Sequence, residues 1–191
     1  MRVGLFFGSF NPVHVGHLVI ANYMASFTEL DEVWFVVSPQ NPLKEKSTLL
    51  NENDRLHLVK LALDLHPKIK ASDIEFKLAQ PSYTINTLAH LNEKFPQHEF
   101  CLIMGSDNLS GFKKWKNYEE ILRRFKIFVY PRPEKTETEF DKHPSVTFVN
   151  APLMEISSTF IRKAIREKKD ARFYLHHKVW EYIDEMNYYK K

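Results

Sequence analysis

The chain has 191 residues, of which 43% are hydrophobic and 14% aromatic, and its 27 basic and 24 acidic residues leave a net charge of +3. Such a composition excludes an intrinsically disordered chain, and the length is sufficient for a substantial core. The mixed charges include no basic arm, so a nucleic acid is not expected as a partner. We expect one domain over residues 1–191, with a C-terminal helical part at about 156–191.

Strand-like apolar runs alternate with segments in which apolar residues follow helical spacing. Strands are predicted at 3–7, 33–37, 99–104, 127–130 and 146–149, with a further alternating stretch at 69–78. Helices are predicted at 17–27, 53–65, 84–95, 118–124, 158–168 and 178–186, and a surface loop at 131–144. This alternation predicts an α/β fold with a doubly wound parallel sheet, whose ligands bind outside the carboxyl ends of the strands.

The single cysteine, Cys101, excludes an intrachain disulfide and a cysteine-rich metal site. Because it lies within the apolar run 100–104, we interpret it as a buried strand residue and not as a reactive thiol. The first apolar run is too short for a secretory signal, and no run approaches the ~18 apolar residues of a membrane span. The sequence therefore predicts a cytoplasmic protein without a membrane partner, and it leaves a homo-oligomer open.

The loop after the first predicted strand, GSFNPVHVGH at residues 8–17, carries the first candidate functional residues. Gly8 is expected to let the backbone turn sharply, and Gly16 to leave room beside phosphates. His14 and His17 can each donate a hydrogen bond to phosphate oxygens at the start of a helix. A pair of structural histidines and a zinc pair are the alternatives, but no third zinc ligand has an obvious spacing. Neither a GxxxxGK[ST] nor a GxGxxG motif is present.

A second segment, ISSTFIR at residues 156–162, places hydroxyl groups before a predicted helix and Arg162 one turn into it. Taken alone, it is an ordinary helix cap followed by a solvent-exposed arginine. Taken with the first loop, it could clamp a polyphosphate from the opposite side, since free backbone N–H groups and cationic side chains both bind anions.

Together the two segments resemble the HxGH and ISSTxxR signatures of the nucleotidyltransferase superfamily. The segments between them are similar to those of the bacterial nicotinate-nucleotide adenylyltransferases. This similarity spans essentially the whole chain and includes NPLK at 41–44, PSYTINTL at 81–88, MGSDNL at 104–109, Trp115 and the tail around 174–183. The sequence departs from the common family pattern at Phe7, Asn11 and Leu43.

The resemblance implies a Rossmann-like nucleotidyltransferase with C-terminal helices that transfers the adenylyl group of ATP to nicotinate mononucleotide. It also implies Mg²⁺ bound with ATP, without a dedicated protein metal site. The implied catalytic residues are His14, His17, Lys44 and Arg162, which would neutralise charge on the phosphates. The implied ATP-binding residues are Gly8, Ser9, Phe10, Gly16, Gly105, Asp107, Ile156, Ser157 and Ser158, and the implied mononucleotide-binding residues are Asn11, Tyr83, Thr84 and Trp115.

Each implied role has a plainer alternative. Lys44 is a surface lysine by default, Asp107 could cap a helix, and a lone tryptophan such as Trp115 is more often a core residue. At the level of function, the alternatives are an adenylyltransferase for nicotinamide mononucleotide or phosphopantetheine and a nucleotide-binding sensor without turnover. A phosphopantetheine enzyme would share residues 8–17 and 156–162 but not 81–88. A sensor would be expected to lack one of the phosphate-contacting residues, and all of them are present.

Overall fold

The computed structural model describes residues 1–39, 49–133 and 137–190. The strands are β1 (Arg2–Gly8), β2 (Glu32–Val37), β3 (Ile69–Ser72), β4 (Glu99–Gly105), β5 (Lys126–Tyr130) and β6 (Val146–Phe148). The helices are α1 (Val15–Phe27), α2 (Glu52–Leu63), α3 (Thr84–Lys94), α4 (Ser106–Ser110), α5 (Tyr118–Arg124), α6 (Ser158–Arg166) and α7 (His177–Glu185). The predicted fold class is confirmed.

The six strands form one sheet in the order β3-β2-β1-β4-β5-β6, and every pairing between neighbours is parallel. Val3 of β1 lies opposite Glu32 of β2 on one side and opposite Phe100 of β4 on the other. The strand order reverses between β1 and β4, because the chain runs outward to β3 before it crosses back. In an open α/β sheet this switch point leaves a crevice at the carboxyl ends of the two central strands, where ligands bind.

Helices cover both faces of the sheet, which explains why the strands are continuous apolar runs. Val3 and Leu5 of β1 point into a core shared with α3, α4 and α5, whereas Phe6 points into a core shared with α1, α2, α6 and α7. Each of these three side chains is at most 4% exposed. The central strand is therefore anchored on both faces, and the loop that follows it starts from a rigid position.

The structure adds detail at two places where the sequence is less specific. The stretch predicted to alternate over 69–78 is a strand only as far as Ser72, and a 3₁₀ turn follows at Ile74–Lys77. This turn packs the carboxylate of Glu75 inside the protein, which a continuing edge strand would not do. The short helix α4 was not predicted, because five residues between a strand and a glycine are too few to show helical periodicity.

The cysteine and the helix lengths agree with the sequence-based interpretation. Cys101 is fully buried in β4, and burial raises the pKa of its thiol to about 12, so it remains protonated and unreactive. None of the helices in the described ranges combines the length and the apolar character needed to cross a bilayer.

Candidate active site

The loop between β1 and α1 owes its course to Phe10 rather than to its glycines. Phe10 adopts a left-handed backbone conformation, with φ of 45°, whereas no glycine in the described residues has a positive φ. Its ring is 2% exposed and packs edge-on against Phe6. A Cβ atom on Gly8 would lie 2.8 Å from this ring. Gly8 therefore makes room for Phe10, and any contact of Phe10 with ATP is restricted to its backbone.

The two histidines of the loop are stacked at the start of α1. Their ring centroids lie 3.7 Å apart with an interplanar angle of 23°. His14 is the N-cap residue, and its backbone N–H donates to Nδ1 of His17 over 3.2 Å. Because Nδ1 of His17 accepts this bond, the neutral His17 ring carries its proton on Nε2. His17 is thereby prepared as a hydrogen-bond donor through Nε2.

His14 is neutral in this structure. It is 5% exposed, and burial together with the charge of Arg132 lowers the pKa of its ring to about 4. A Cβ atom on Gly16 would lie 3.1 Å from Cε1 and Nδ1 of His14, so Gly16 makes room for the His14 ring itself. His14 can therefore contribute a hydrogen bond at neutral pH, but it contributes a positive charge only after an anion has raised its pKa.

The second motif lies directly against this loop, as the sequence predicted. The Ser158 hydroxyl donates to the carbonyl of Pro12 over 2.8 Å, and Nη1 of Arg162 donates to the carbonyl of Asn11 over 2.8 Å. Ser157 is the N-cap residue of α6 and accepts from the Phe160 N–H, so this serine has the capping role given as the alternative. The N-termini of α1 and α6 thus flank one site.

A buried arginine outside both motifs binds the backbone of the loop after β1. Arg55 on α2 is fully buried. Its guanidinium donates to the backbone carbonyls of Ser9 (2.6 Å), Ser38 (2.8 Å), Pro39 (2.9 Å) and Leu50 (2.9 Å). These carbonyls belong to the segments after β1 and β2 and before α2, so one side chain fixes three neighbouring segments.

The carboxyl end of β4 supplies the next wall of the site. The N-cap of α4 is Gly105 and not Asp107, so the capping alternative for Asp107 is wrong. The Asp107 carboxylate is half-exposed and lies 3.8 Å from Nε of Arg132. A Cβ atom on Gly105 would lie 2.3 Å from Oδ1 of Asp107, so the glycine permits this position. Arg132 also lines a small cavity beside His14 and His17.

The residues implied to bind the mononucleotide lie at the N-terminus of α3. Tyr83 is the N-cap residue of this helix and Thr84 its first residue. Nζ of Lys116 lies 4.6 Å from the centroid of the Tyr83 ring, which brings the segment next to Trp115 against the start of α3. Trp115 is half-buried and packs with its ring 5.2 Å from that of Phe112. This group and the histidines both lie at the carboxyl edge of the sheet.

The turn before α3 is anchored by a buried carboxylate. Glu75 is 2% exposed and accepts from the Ser82 hydroxyl over 3.1 Å and from the Thr87 hydroxyl over 2.7 Å. Glu75 therefore connects the residues on both sides of Tyr83 and Thr84. The position of these two residues is fixed before any ligand binds.

Lys44 and Asn11 were also expected in the site. Lys44 and the whole 41–44 segment lie outside the described residues. Asn11 is 4% exposed, and its Oδ1 accepts from the Leu50 N–H over 3.3 Å and from the Tyr189 hydroxyl over 2.7 Å. These contacts show that the Asn11 side chain holds protein segments together. Its implied role toward the mononucleotide remains a prediction.

Four residues of the site were missed in the sequence, namely Arg55, Glu75, Arg132 and Tyr189. Arg55 had a readable signal, since it shares a helical face with Val59 and Ala62 at a spacing of four and seven residues. A charged residue on an apolar face is unusual and is normally paired by hydrogen bonds. The other three act through contacts that the local sequence does not show.

Comparisons with known proteins identify the family of this chain. The sequence matches the family model described as cytidylyltransferase-like over residues 5–164. It is 57% identical to a protein of Flavobacterium psychrophilum and 58% identical to one of Flavobacterium johnsoniae, each over the full length of both chains, and both are named "Probable nicotinate-nucleotide adenylyltransferase". The chain belongs to the nicotinate-nucleotide adenylyltransferase family.

The fold is also that of a solved member of the family. The nicotinic acid mononucleotide adenylyltransferase of Plasmodium falciparum, solved in complex with NaAD, superposes with a TM-score of 0.83 at 20% identity. The alignment covers 99% of this chain and 97% of that one. At this identity the likeness concerns the arrangement of strands and helices.

The depressed pKa of His14 predicts a pH-dependent stability. Between about pH 6.5 and pH 4 the unfolded chain binds a proton at His14 that the folded chain does not, so stability falls as the pH falls through this range. The free energy of unfolding should fall by up to about 3 kcal/mol over this range because of His14. Denaturant titrations of wild type and His14→Gln at several pH values should show a shallower pH dependence in the variant. Equal slopes would contradict the assignment of a neutral buried His14.

Replacement of Arg55 should destabilise the protein through the carbonyls it leaves without donors. We expect Arg55→Ala to lower the free energy of unfolding by at least about 3 kcal/mol, and Arg55→Lys to recover only part of this, because lysine lacks the planar fork. The control is Arg123→Ala, whose side chain is 74% exposed, and it should change stability by less than about 1 kcal/mol. A similar loss in both variants, measured by urea unfolding, would mean that the four carbonyl contacts contribute little.

Proposed function

We propose that the chain transfers the adenylyl group of ATP to nicotinate mononucleotide, giving deamido-NAD and pyrophosphate, as a step of NAD biosynthesis. The observation that carries this proposal is the direct contact between the two phosphate-binding motifs. Ser158 and Arg162 donate to the carbonyls of Pro12 and Asn11, next to the stacked histidines and at the switch point of the sheet. Family membership gives the reaction class, and the N-terminus of α3 supports the choice of an acidic substrate.

In this reaction a phosphate oxygen of the mononucleotide attacks the α-phosphorus of ATP, and the bond to the β-phosphate oxygen breaks as pyrophosphate leaves. No covalent enzyme intermediate is needed, so the protein contributes mainly position and charge stabilisation. His17 would donate through Nε2 to an α-phosphate oxygen, and His14 would donate beside it. Arg162 and Lys44 would bind the β- and γ-phosphates.

The remaining residues would bind the two nucleoside parts. The Asp107 carboxylate, half-exposed in the first turn of α4, would accept hydrogen bonds from the ATP ribose. Gly8, Ser9, Phe10, Gly16, Gly105, Ile156 and Ser157 would contribute backbone and space to the ATP site. Tyr83, Thr84 and Trp115 would surround the nicotinate ring, with Asn11 holding the loop between the two substrates.

Mg²⁺ would accompany ATP and supply charge neutralisation to its phosphates. Within the described ranges no group of three or more His, Cys, Asp and Glu side chains could hold a metal ion. The ion would be bound by phosphate oxygens and retained water, as Mg²⁺ prefers. We also propose that residues 1–191 work as a single domain, since the C-terminal part from α6 onward completes the phosphate site.

Substrate choice tests the proposed function most sharply. The N–H groups at the start of α3 and the ammonium of Lys116 favour a carboxylate over a neutral amide. We therefore expect kcat/KM for nicotinate mononucleotide to exceed that for nicotinamide mononucleotide by at least about a hundredfold, and phosphopantetheine to be inactive. Coupled pyrophosphate release with the three substrates measures this. Comparable values for the two mononucleotides would point to an enzyme of dual specificity, and turnover of phosphopantetheine alone would refute the proposal.

Removal of His17 should slow the chemical step more than it weakens binding. We expect His17→Ala to lower kcat by about a hundredfold or more, because a donor aimed at developing charge acts mainly in the transition state. The control is His66→Ala, since His66 lies just before β3, at the amino ends of the strands and away from the site at their carboxyl ends. Steady-state kinetics of both variants decide the matter. A kcat near that of wild type in His17→Ala would remove His17 from the catalytic residues.

A further inference from the structure

Asn11 is the junction at which three remote parts of the chain meet the phosphate-binding loop. Its Oδ1 accepts from the Leu50 N–H and from the Tyr189 hydroxyl, and its backbone carbonyl accepts from Arg162. The shortest of these contacts, 2.7 Å, comes from Tyr189, which is 178 positions away in the sequence. Asn11 lies three residues before His14, so its position bears directly on the position of the histidine pair.

Tyr189 reaches this junction along an unusual backbone path. It follows α7, and its φ is 63°, while that of Asn187 is 55°. Two left-handed residues without glycine in so short a stretch are uncommon and persist only where other contacts hold them. The Tyr189 ring packs against the same core as α1, α2 and α7. The tail after α7 therefore turns back to the loop in a defined conformation.

The hydroxyl of Tyr189 donates to Asn11 and lies in the field of Arg162 and Arg55. Asn11 Oδ1 can only accept, so the hydroxyl proton points toward it. Burial raises the pKa of Tyr189 above its usual value, and the charges of Arg162 and Arg55 only partly offset this effect. The hydroxyl therefore stays protonated at neutral pH and can donate this hydrogen bond.

We propose that the Tyr189 hydroxyl is a positioning group for adenylyl transfer. It fixes the side chain of Asn11 and thereby the segment that carries His14 and the carbonyl that orients Arg162. The inference rests on the proposed function, since it assigns a role toward the same reaction. Tyr189 does not line the cavity beside the histidines, so its effect on the reaction is exerted through its hydrogen bond to Asn11.

The consequence is a loss of rate rather than of affinity. A loop that has lost one anchor still binds ATP, because binding tolerates small displacements and several groups share it. The in-line transfer requires tighter alignment of the donors than binding does, so kcat is the more sensitive quantity. Removal of the hydroxyl should therefore lower kcat about five- to tenfold, with KM for ATP changed by less than about twofold.

The test is Tyr189→Phe with Tyr188→Phe as the matched control. Tyr188 is the adjacent residue, and its hydroxyl interacts with Asp54 and Tyr182, which both lie outside residues 8–17. Both variants lose one hydroxyl, so both should lower the melting temperature by a similar amount, about 3 °C. Only Tyr189→Phe should lower kcat. Equal kcat values in the two variants, or a change confined to the melting temperature, would overturn the inference.

A coupling measurement shows whether the effect passes through Asn11. In an Asn11→Leu background, which lacks the Oδ1 acceptor, Tyr189→Phe should cause no further fall in kcat. In an Asn11→Asp background, which keeps an acceptor, it should still lower kcat. An equal additional loss in the Leu background would contradict the proposed route.

If the wild-type protein shows no adenylyl transfer, the proposed function fails. If the wild-type protein is active and Tyr189→Phe has the same kcat, only this inference fails.

Discussion

The site depends on the buried guanidinium of Arg55. The backbone carbonyls of Ser9, Ser38, Pro39 and Leu50 are bonded to a side chain that is fully buried, so the bonded oxygens lie away from bulk water. A buried carbonyl without a donor costs free energy comparable to a lost hydrogen bond, so a loop of this kind needs an internal donor. Arg55 supplies donors to four such carbonyls in a fixed planar arrangement. The first two strand ends, and the histidines that follow β1, are thereby fixed relative to α2.

The distribution of charge in the site follows from burial and from the contact between the two histidines. Two stacked imidazoles next to Arg132 cannot both be protonated without mutual repulsion, and burial further favours the neutral form of His14. In the free protein His14 is therefore a neutral hydrogen-bond donor, and among the described residues beside it Arg132 carries a positive charge. This arrangement avoids the cost of a buried cluster of cations in the free protein. His14 can still bind a proton once the negative charge of a polyphosphate has raised its pKa.

The sequence predicted the sheet well because both faces of its strands are buried, so their apolar runs stand out. Predicted and observed bounds of β1 and β2 differ by one residue at most. The pairing of residues 8–17 with 156–162 was also predicted, on the resemblance and on the need to clamp a polyphosphate from two sides. The structural roles of individual residues in the loop could not be predicted as well. Gly8 and Gly16 leave room for the rings of Phe10 and His14, which local sequence alone cannot show. Arg132 and Tyr189 act through contacts that exist only after folding.

The central claim is that residues 8–17 are held in their working geometry before ATP arrives. A crystal structure with Mg²⁺ and a non-hydrolysable ATP analogue tests it most directly. The account predicts the triphosphate at the N-terminus of α1, with Nε2 of His17 within hydrogen-bond distance of an α-phosphate oxygen, and loop Cα atoms displaced by less than about 1 Å. A triphosphate bound elsewhere, or a loop rebuilt with the Arg55 contacts broken, would contradict the account.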